Sequence, residues 1–209
     1  MKKTLWFTVI AACLVYSCPS HAEAPRKIAG FVLGNDISQY KDLVRMDSAL
    51  PIRHMEYVNE VETKKIEGYK NGYVFFGTCA QPGRILKVKL KYEILDRWFF
   101  DALLDRFKKK FGQPSEWKGD PFQTLIAWKW SIKDAQGDAV TMILQHYSGD
   151  DEEFTRGNSL RITMRGFVDQ ERQCFEKKHP EEAGDTEAPA IKLSPEEKNR
   201  IDFSRFIPE

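Results

Sequence analysis

The chain is short of the residues that usually announce a chemistry. Of its 209 residues only four are cysteine and four are histidine. No Cys-x-x-Cys pair, Gly-x-Ser-x-Gly, His-Glu-x-x-His or phosphate-cradling glycine loop occurs. An excess of charge is also missing. The 32 Lys and Arg against 31 Asp and Glu leave a formal +1, and setting aside Lys2 and Lys3 turns it to −1. A chain so balanced carries no overall attraction for nucleic acid, and none is expected as a partner. Long apolar runs are absent after the first residues, so no transmembrane helix is expected in the mature chain.

What is present begins with a leader. Lys2 and Lys3 precede an apolar run from Leu5 to Val15, and Ser20-His21-Ala22 offers small residues where a signal peptidase reads. Residues 1–22 are expected to be a signal peptide, which places the mature chain in the periplasm or outside the cell. Val15-Tyr16-Ser17-Cys18 has the form of a lipobox, and lipid anchoring through Cys18 is the alternative. Cleavage after Ala22 removes Cys13 and Cys18. The pair left, Cys79 and Cys174, is expected to form a disulfide in an oxidising compartment. It would close a loop of 95 positions, worth roughly 4–5 kcal/mol in the chain-entropy model.

The stretch from Arg84 to Trp130 holds the clearest local pattern. Leu86, Val88, Leu90 and Tyr92 alternate with Lys87, Lys89 and Lys91, the period of a half-buried strand. Asp96 stands at an N-cap. Phe100, Leu103, Leu104, Phe107 and Phe111 then make one apolar helix stripe, with Phe107 in its middle. Lys108, Lys109 and Lys110 suit the helix C-terminus, and Gly112 and Pro114 end it. Earlier, a short strand runs from Ile28 to Gly34 and a helix is expected over Ile37–Met46. A strand covers His54–Val61, Asn71-Gly72 reads as a hairpin turn, and Tyr73–Cys79 reads as a strand. Later come alternating strands through Ile126–Lys133, Val140–Tyr147 and Leu160–Arg165, an acidic loop Ser148–Asn158, and a helix Val168–Lys178.

The order β-α-β-β-β then α-β-β-β-α gives an α+β, two-layer domain over residues 23–179, an antiparallel sheet with helices on one face, its halves patterned as two tandem half-repeats. Residues 180–193, rich in Pro, Glu and Ala, read as a flexible linker. Residues 194–209 open with Ser194-Pro195-Glu196-Glu197 and carry Ile201, Phe203, Phe206 and Ile207, a short amphipathic segment.

The sequence Phe111-Gly112-Gln113-Pro114, a loop, then Trp128-Lys129-Trp130 and a hairpin resembles the helix–Gly-x-Pro–loop–Trp-x-aromatic pattern of small exported proteins. These are the BamE outer-membrane assembly lipoproteins and the β-lactamase-inhibitor-protein-like fold. The likeness is confined to the central stretch. It implies binding through a curved sheet and its loops, and it transfers no catalytic residue. The first half of this chain and its C-terminal tail have no counterpart in that pattern.

Functional candidates follow from alternation. Lys87, Lys89, Lys91, Lys129, Lys133, Arg161 and Arg165 fall on the outward positions of their strands. Together they would make a basic open face suited to an anionic partner, an envelope protein or an anionic envelope component. The bland alternative is a solvated face, or edge strands protected by lysine. The expected function is a non-catalytic interaction module of the cell envelope, without cofactor or metal. An envelope hydrolase with a site near Asp120 and His146 is the alternative. His146 shares its strand face with Leu144 and Met142, as a core histidine would. Asp150–Glu153 lacks the alternating ligands of a calcium loop.

Overall fold

The computed structural model describes residues 24–133, 137–150 and 156–180, together with Ser194 and Glu196. The expected leader lies outside them, as do the linker and tail segment apart from Pro180, Ser194 and Glu196. So do Asp151, Glu152 and Glu153.

The fold is α+β in two layers. A short hairpin, β1 (Lys27–Ile28) and β2 (Phe31–Val32), precedes the main sheet. Then come β3 (Leu50–Ile52), β4 (Met55–Glu62), β5 (Tyr69–Gly77) and β6 (Ile85–Tyr92), followed by helix α1 (Arg97–Phe111). The second half repeats the plan with β7 (Glu116–Trp117), β8 (Leu125–Lys133), β9 (Ala139–Tyr147), β10 (Gly157–Met164) and helix α2 (Arg165–Lys178). The eight strands are ordered β3-β4-β5-β6-β10-β9-β8-β7, and every neighbouring pair is antiparallel. Two four-stranded meanders therefore meet edge to edge through their last strands, β6 and β10.

Period two sets the faces. Val88, Leu90, Ile162, Met142, Leu144 and Trp130 turn to one side and are almost wholly buried against α1, which contributes Phe100 and Leu104. The Trp130 indole donates to the carbonyl of Gly112 at 2.9 Å, tying the end of α1 to β8. This contact gives the Gly-x-Pro and Trp-x-Trp elements a shared role: one ends the helix and the other holds the end down. Phe107 is only partly buried, so the centre of the stripe is Phe100 and Leu104.

Helix α2 continues directly from β10 and turns across the end of the sheet onto β4, β6 and β9. Three ties hold it. Cys174 is bonded to Cys79, with their Cα atoms 5.8 Å apart. The carboxylate of Glu171, fully buried, accepts from the backbone N–H groups of Cys79, Ala80 and Gln81 at 2.7, 2.9 and 2.8 Å. The Arg84 guanidinium lies 3.9 Å from the centre of the Phe167 ring and donates to Gln170. Gly77 is required beneath Glu171, because a Cβ there would come within 2.3 Å of its carboxyl carbon.

Several elements differ from the sequence reading. The expected single strand from Ile28 to Gly34 is the β1–β2 hairpin, turned at Ala29-Gly30. Residues 37–46 form no α-helix. They make a 3-10 turn, Ile37–Tyr40, before Val44 is drawn into a bridge with Thr63; a second 3-10 turn covers Met46–Ser48. The Asp36 cap is real, its carboxylate accepting from the N–H of Ser38, but pairing with the sheet overrides the helical pattern. Asn71-Gly72 is not a turn either. It lies inside β5 beside a bulge, and Gly72 is needed there because a Cβ would meet Leu90 at 2.3 Å.

Phe100→Ala should cost about 3–5 kcal/mol in denaturant unfolding, and Phe107→Ala clearly less. Equal losses would contradict this burial order. Glu171→Ala should cost about 3 kcal/mol by stranding three amides. Glu171→Gln, which keeps an acceptor oxygen, should cost less by the same measurement.

Candidate basic face and its cavity

The sheet face turned away from α1 carries the basic candidates, but the structure gathers only part of them. Lys87, Lys89 and Lys91 stand on β6, and Arg161 on the adjacent β10. In the antiparallel register Lys89 lies opposite Arg161, Lys87 opposite Thr163 and Lys91 opposite Ser159. Arg165 joins them from the first position of α2 rather than from the end of a strand, the helix starting three residues earlier than its pattern suggests. These five cations belong to β6, β10 and the helix that β10 runs into. Next to them, β9 presents the uncharged Thr141, Ile143 and Gln145.

Lys129 is set apart. Ile143 separates it from Arg161 along the row of paired residues, and its ammonium bonds Glu116 at 2.8 Å. Glu116 also holds Lys118, and these two ammonium groups pull its carboxyl down to about 2. Lys133 is exposed at the far end of β8, opposite Ala139. The predicted seven-residue face thus resolves into a cluster of five and two outliers.

None of the five clustered cations is in an ion pair within 4 Å among the described residues. Glu60, across Phe75 from Lys87, is the carboxylate that acts on Lys87 and Lys89 from a longer range. The crowding registers on the amines. Lys87 is pushed down to about 8, first by burial, then by Arg161 and Lys89, with Glu60 opposing. Lys89 is lowered by burial and Arg161, and Lys91 by burial with Lys70 and Arg156. Arg161 leaves much of its side chain in solvent, yet it too is displaced downward by partial desolvation and by Arg165.

An apolar cluster underlies the basic end of this face. A bulge in β6 pairs Phe75 with Lys87 but Phe76 with Ile85, leaving Leu86 as the extra residue. Leu86 was expected to face the helix layer with Val88 and Leu90. Instead it packs with Val58 and Phe75 in a second cluster, to which α2 adds Phe167 and Val168. The ammonium of Lys87 lies 3.4 Å from the centre of the Phe75 ring. An open cavity of about 210 Å³ results, lined by the cations Lys87, Arg161 and Arg165, by Thr141 and Thr163, and by apolar residues that include Val58, Phe75 and Ile143. The sequence held one sign of it, the alternation of Thr141 and Ile143 against the core residues of β9. The bulge that turns Leu86 over had none.

The alternative site does not assemble as a proton relay. His146 is buried, and its Nδ1 is 2.7 Å from the amide oxygen of Asn158, not from a carboxylate. Asn158 in turn donates to the carbonyls of Ile94 and Asp96, fastening the start of α1. Gly157 and Asn158, assigned to an acidic loop in the sequence, are in fact the start of β10. Asp120 accepts from the N–H groups of Leu125, Phe122 and Thr124, which hold its carboxyl below the usual range. Asp120 is thus engaged in fastening backbone, and His146 in holding the side chain of Asn158. Among the described residues no three His, Cys, Asp or Glu side chains are grouped to hold a metal, and no helix is long and apolar enough to cross a membrane.

No family model, curated protein or solved structure matches this chain.

The Lys87 shift makes a prediction about stability. A base whose affinity for protons falls on folding weakens the fold while it is charged. That penalty is complete below about pH 8 and vanishes as the pH rises toward the ordinary lysine value. The unfolding free energy of the wild type relative to Lys87→Gln should therefore rise across that window. A pH-independent difference between the two proteins would refute the shift.

Proposed function

We propose that the chain is an exported, non-catalytic interaction module of the bacterial cell envelope, which captures an anionic partner on the face carrying Lys87, Lys89, Lys91, Arg161 and Arg165. One observation carries the reading: four cations on the two middle strands of an eight-stranded sheet, and Arg165 where α2 begins, stand together without an ion-paired carboxylate among the described residues. Edge protection is the usual innocent reason for strand lysines, and it does not apply to β6 and β10, the fourth and fifth strands of the order. Mutual repulsion and partial burial make the cluster a burden to folding, and an anion lying across it would relieve both. Export is supported by the leader pattern and is compatible with the Cys79–Cys174 bond. The outliers Lys129 and Lys133 contribute through the general field rather than by contact.

Such a face acts mainly on the rate of encounter, and its reach shrinks to about 10 Å at ~0.1 M salt. Envelope extract passed over the immobilised chain should leave a species that is released by high salt. The triple change Lys87→Gln, Lys89→Gln and Lys91→Gln should lose that species, while Lys133→Gln should retain it. Equal retention by the wild type and the triple variant at low salt would place the binding site elsewhere.

A further inference from the structure

The cavity beside Lys87 has a chemistry narrower than that of the face around it. We propose that it binds a small amphiphilic carboxylate, whose head lies among Lys87, Arg161 and Arg165 and whose compact apolar group sits against Val58, Phe75 and Ile143. The inference rests on reading the basic face as an anion site and names the ligand for one part of it.

Three features define the class. The first is sign: the lining contains three cations and no carboxylate. The threonine hydroxyls of Thr141 and Thr163 can donate as well. The second is the apolar wall. A surface meant only for ions would be polar throughout, yet Val58 and Phe75 fall on this face by alternation and a bulge in β6 adds Leu86 to them. A bare ion would leave these walls unused, and a dianion against them would carry a heavier desolvation cost than a monoanion. The third is size. The space of about 210 Å³ is smaller than the ~300–1,000 Å³ that encloses a drug-sized molecule. It admits a head and one ring or branched alkyl group, and Val168 of α2 is among its lining residues.

The groups facing Lys87 are Arg161 of β10, Lys89 of its own strand and Glu60 of β4, with Arg165 of α2 sharing the cavity. A bound carboxylate would therefore raise the proton affinity of Lys87, and binding near pH 8 should be accompanied by proton uptake.

The test is an NMR titration of the isotope-labelled full chain with phenylacetate, acetate and benzyl alcohol in parallel. Phenylacetate should shift the amides of Val58, Phe75, Lys87 and Thr163 with a dissociation constant of about 1 mM, as expected for a fragment. Acetate and benzyl alcohol should each bind at least about tenfold more weakly, since either lacks one half of the ligand. Arg161→Gln should weaken phenylacetate about tenfold and leave the core amides unmoved. Acetate binding as well as phenylacetate would reduce the cavity to a patch of charge and overturn the proposal. So would tighter binding of phenyl phosphate, or of a peptide ending in phenylalanine with a free carboxylate, since the first changes the head and the second the source. No shift with any probe, beside salt-dependent capture lost in the triple glutamine variant, would remove the cavity ligand and leave the basic face standing. Phenylacetate binding without such capture would do the reverse.

Discussion

A single buried carboxylate sets much of the geometry at one end of this protein. Glu171 takes three consecutive backbone amides of the turn after β5, so that turn cannot relax without exposing a charge and three donors together. The disulfide from Cys174 lies one helical turn further along α2 and fixes the same junction covalently. Arg84, whose guanidinium is lowered chiefly by desolvation, closes the third side with Phe167 and Gln170. These groups hold α2 across the end of the sheet. From there Val168 bounds the cavity and Arg165 reaches the cationic cluster, so the candidate site inherits its shape from a structural anchor that touches no ligand.

The opposite end of the sheet is organised by hydrogen bonds of a different kind. Asn158 is fully buried and serves His146 on one side and the carbonyls of Ile94 and Asp96 on the other. Trp130 performs the matching task at the far end of α1. Helix α1 is thus pinned at both termini by side chains from the second meander, while its apolar stripe fills the space between. Glu171, Asn158 and His146 are buried with partners, whereas the five clustered cations of the basic face have no ion-paired carboxylate among the described residues.

Much of this was written locally in the chain. Strand β6 and helix α1 could be read because every local signal agreed: alternation, stripe, terminal lysines, Gly112 and Pro114. The cysteine pair followed from setting aside the expected leader, which holds the other two cysteines. The readings that failed did so where distant contacts outweighed local preference. Val44 abandons a helical pattern to bridge Thr63. Asn71-Gly72 looks like a hairpin because glycine favours turns, whereas here glycine is demanded by the closeness of Leu90. Of the candidate site, the lysines were legible and the cavity was not. Strict alternation assigned Leu86 to the face packed on α1, and a bulge of one residue in β6 turns it to the other face, where it is still fully buried. The grouping of Arg161 with Lys89, and the separation of Lys129 from both, depends on strand order, which a sequence whose halves are alike in pattern but not in identity does not reveal.

The meeting of β6 with β10 also governs the order in which the molecule can be made. Each meander is built from neighbours in the chain, but the seam between them joins residues about seventy positions apart, Val88 with Ile162 and Lys89 with Arg161. Contacts of that range are slow to form, because the intervening chain must first give up its freedom. The seam therefore costs more chain freedom than the pairings within each meander, and it unites the two strands that bear most of the like charge. Until it closes, β6 and β10 are open edges, and their lysines and arginine discourage pairing with foreign strands. The same repulsion that burdens the finished sheet would guard the unfinished one.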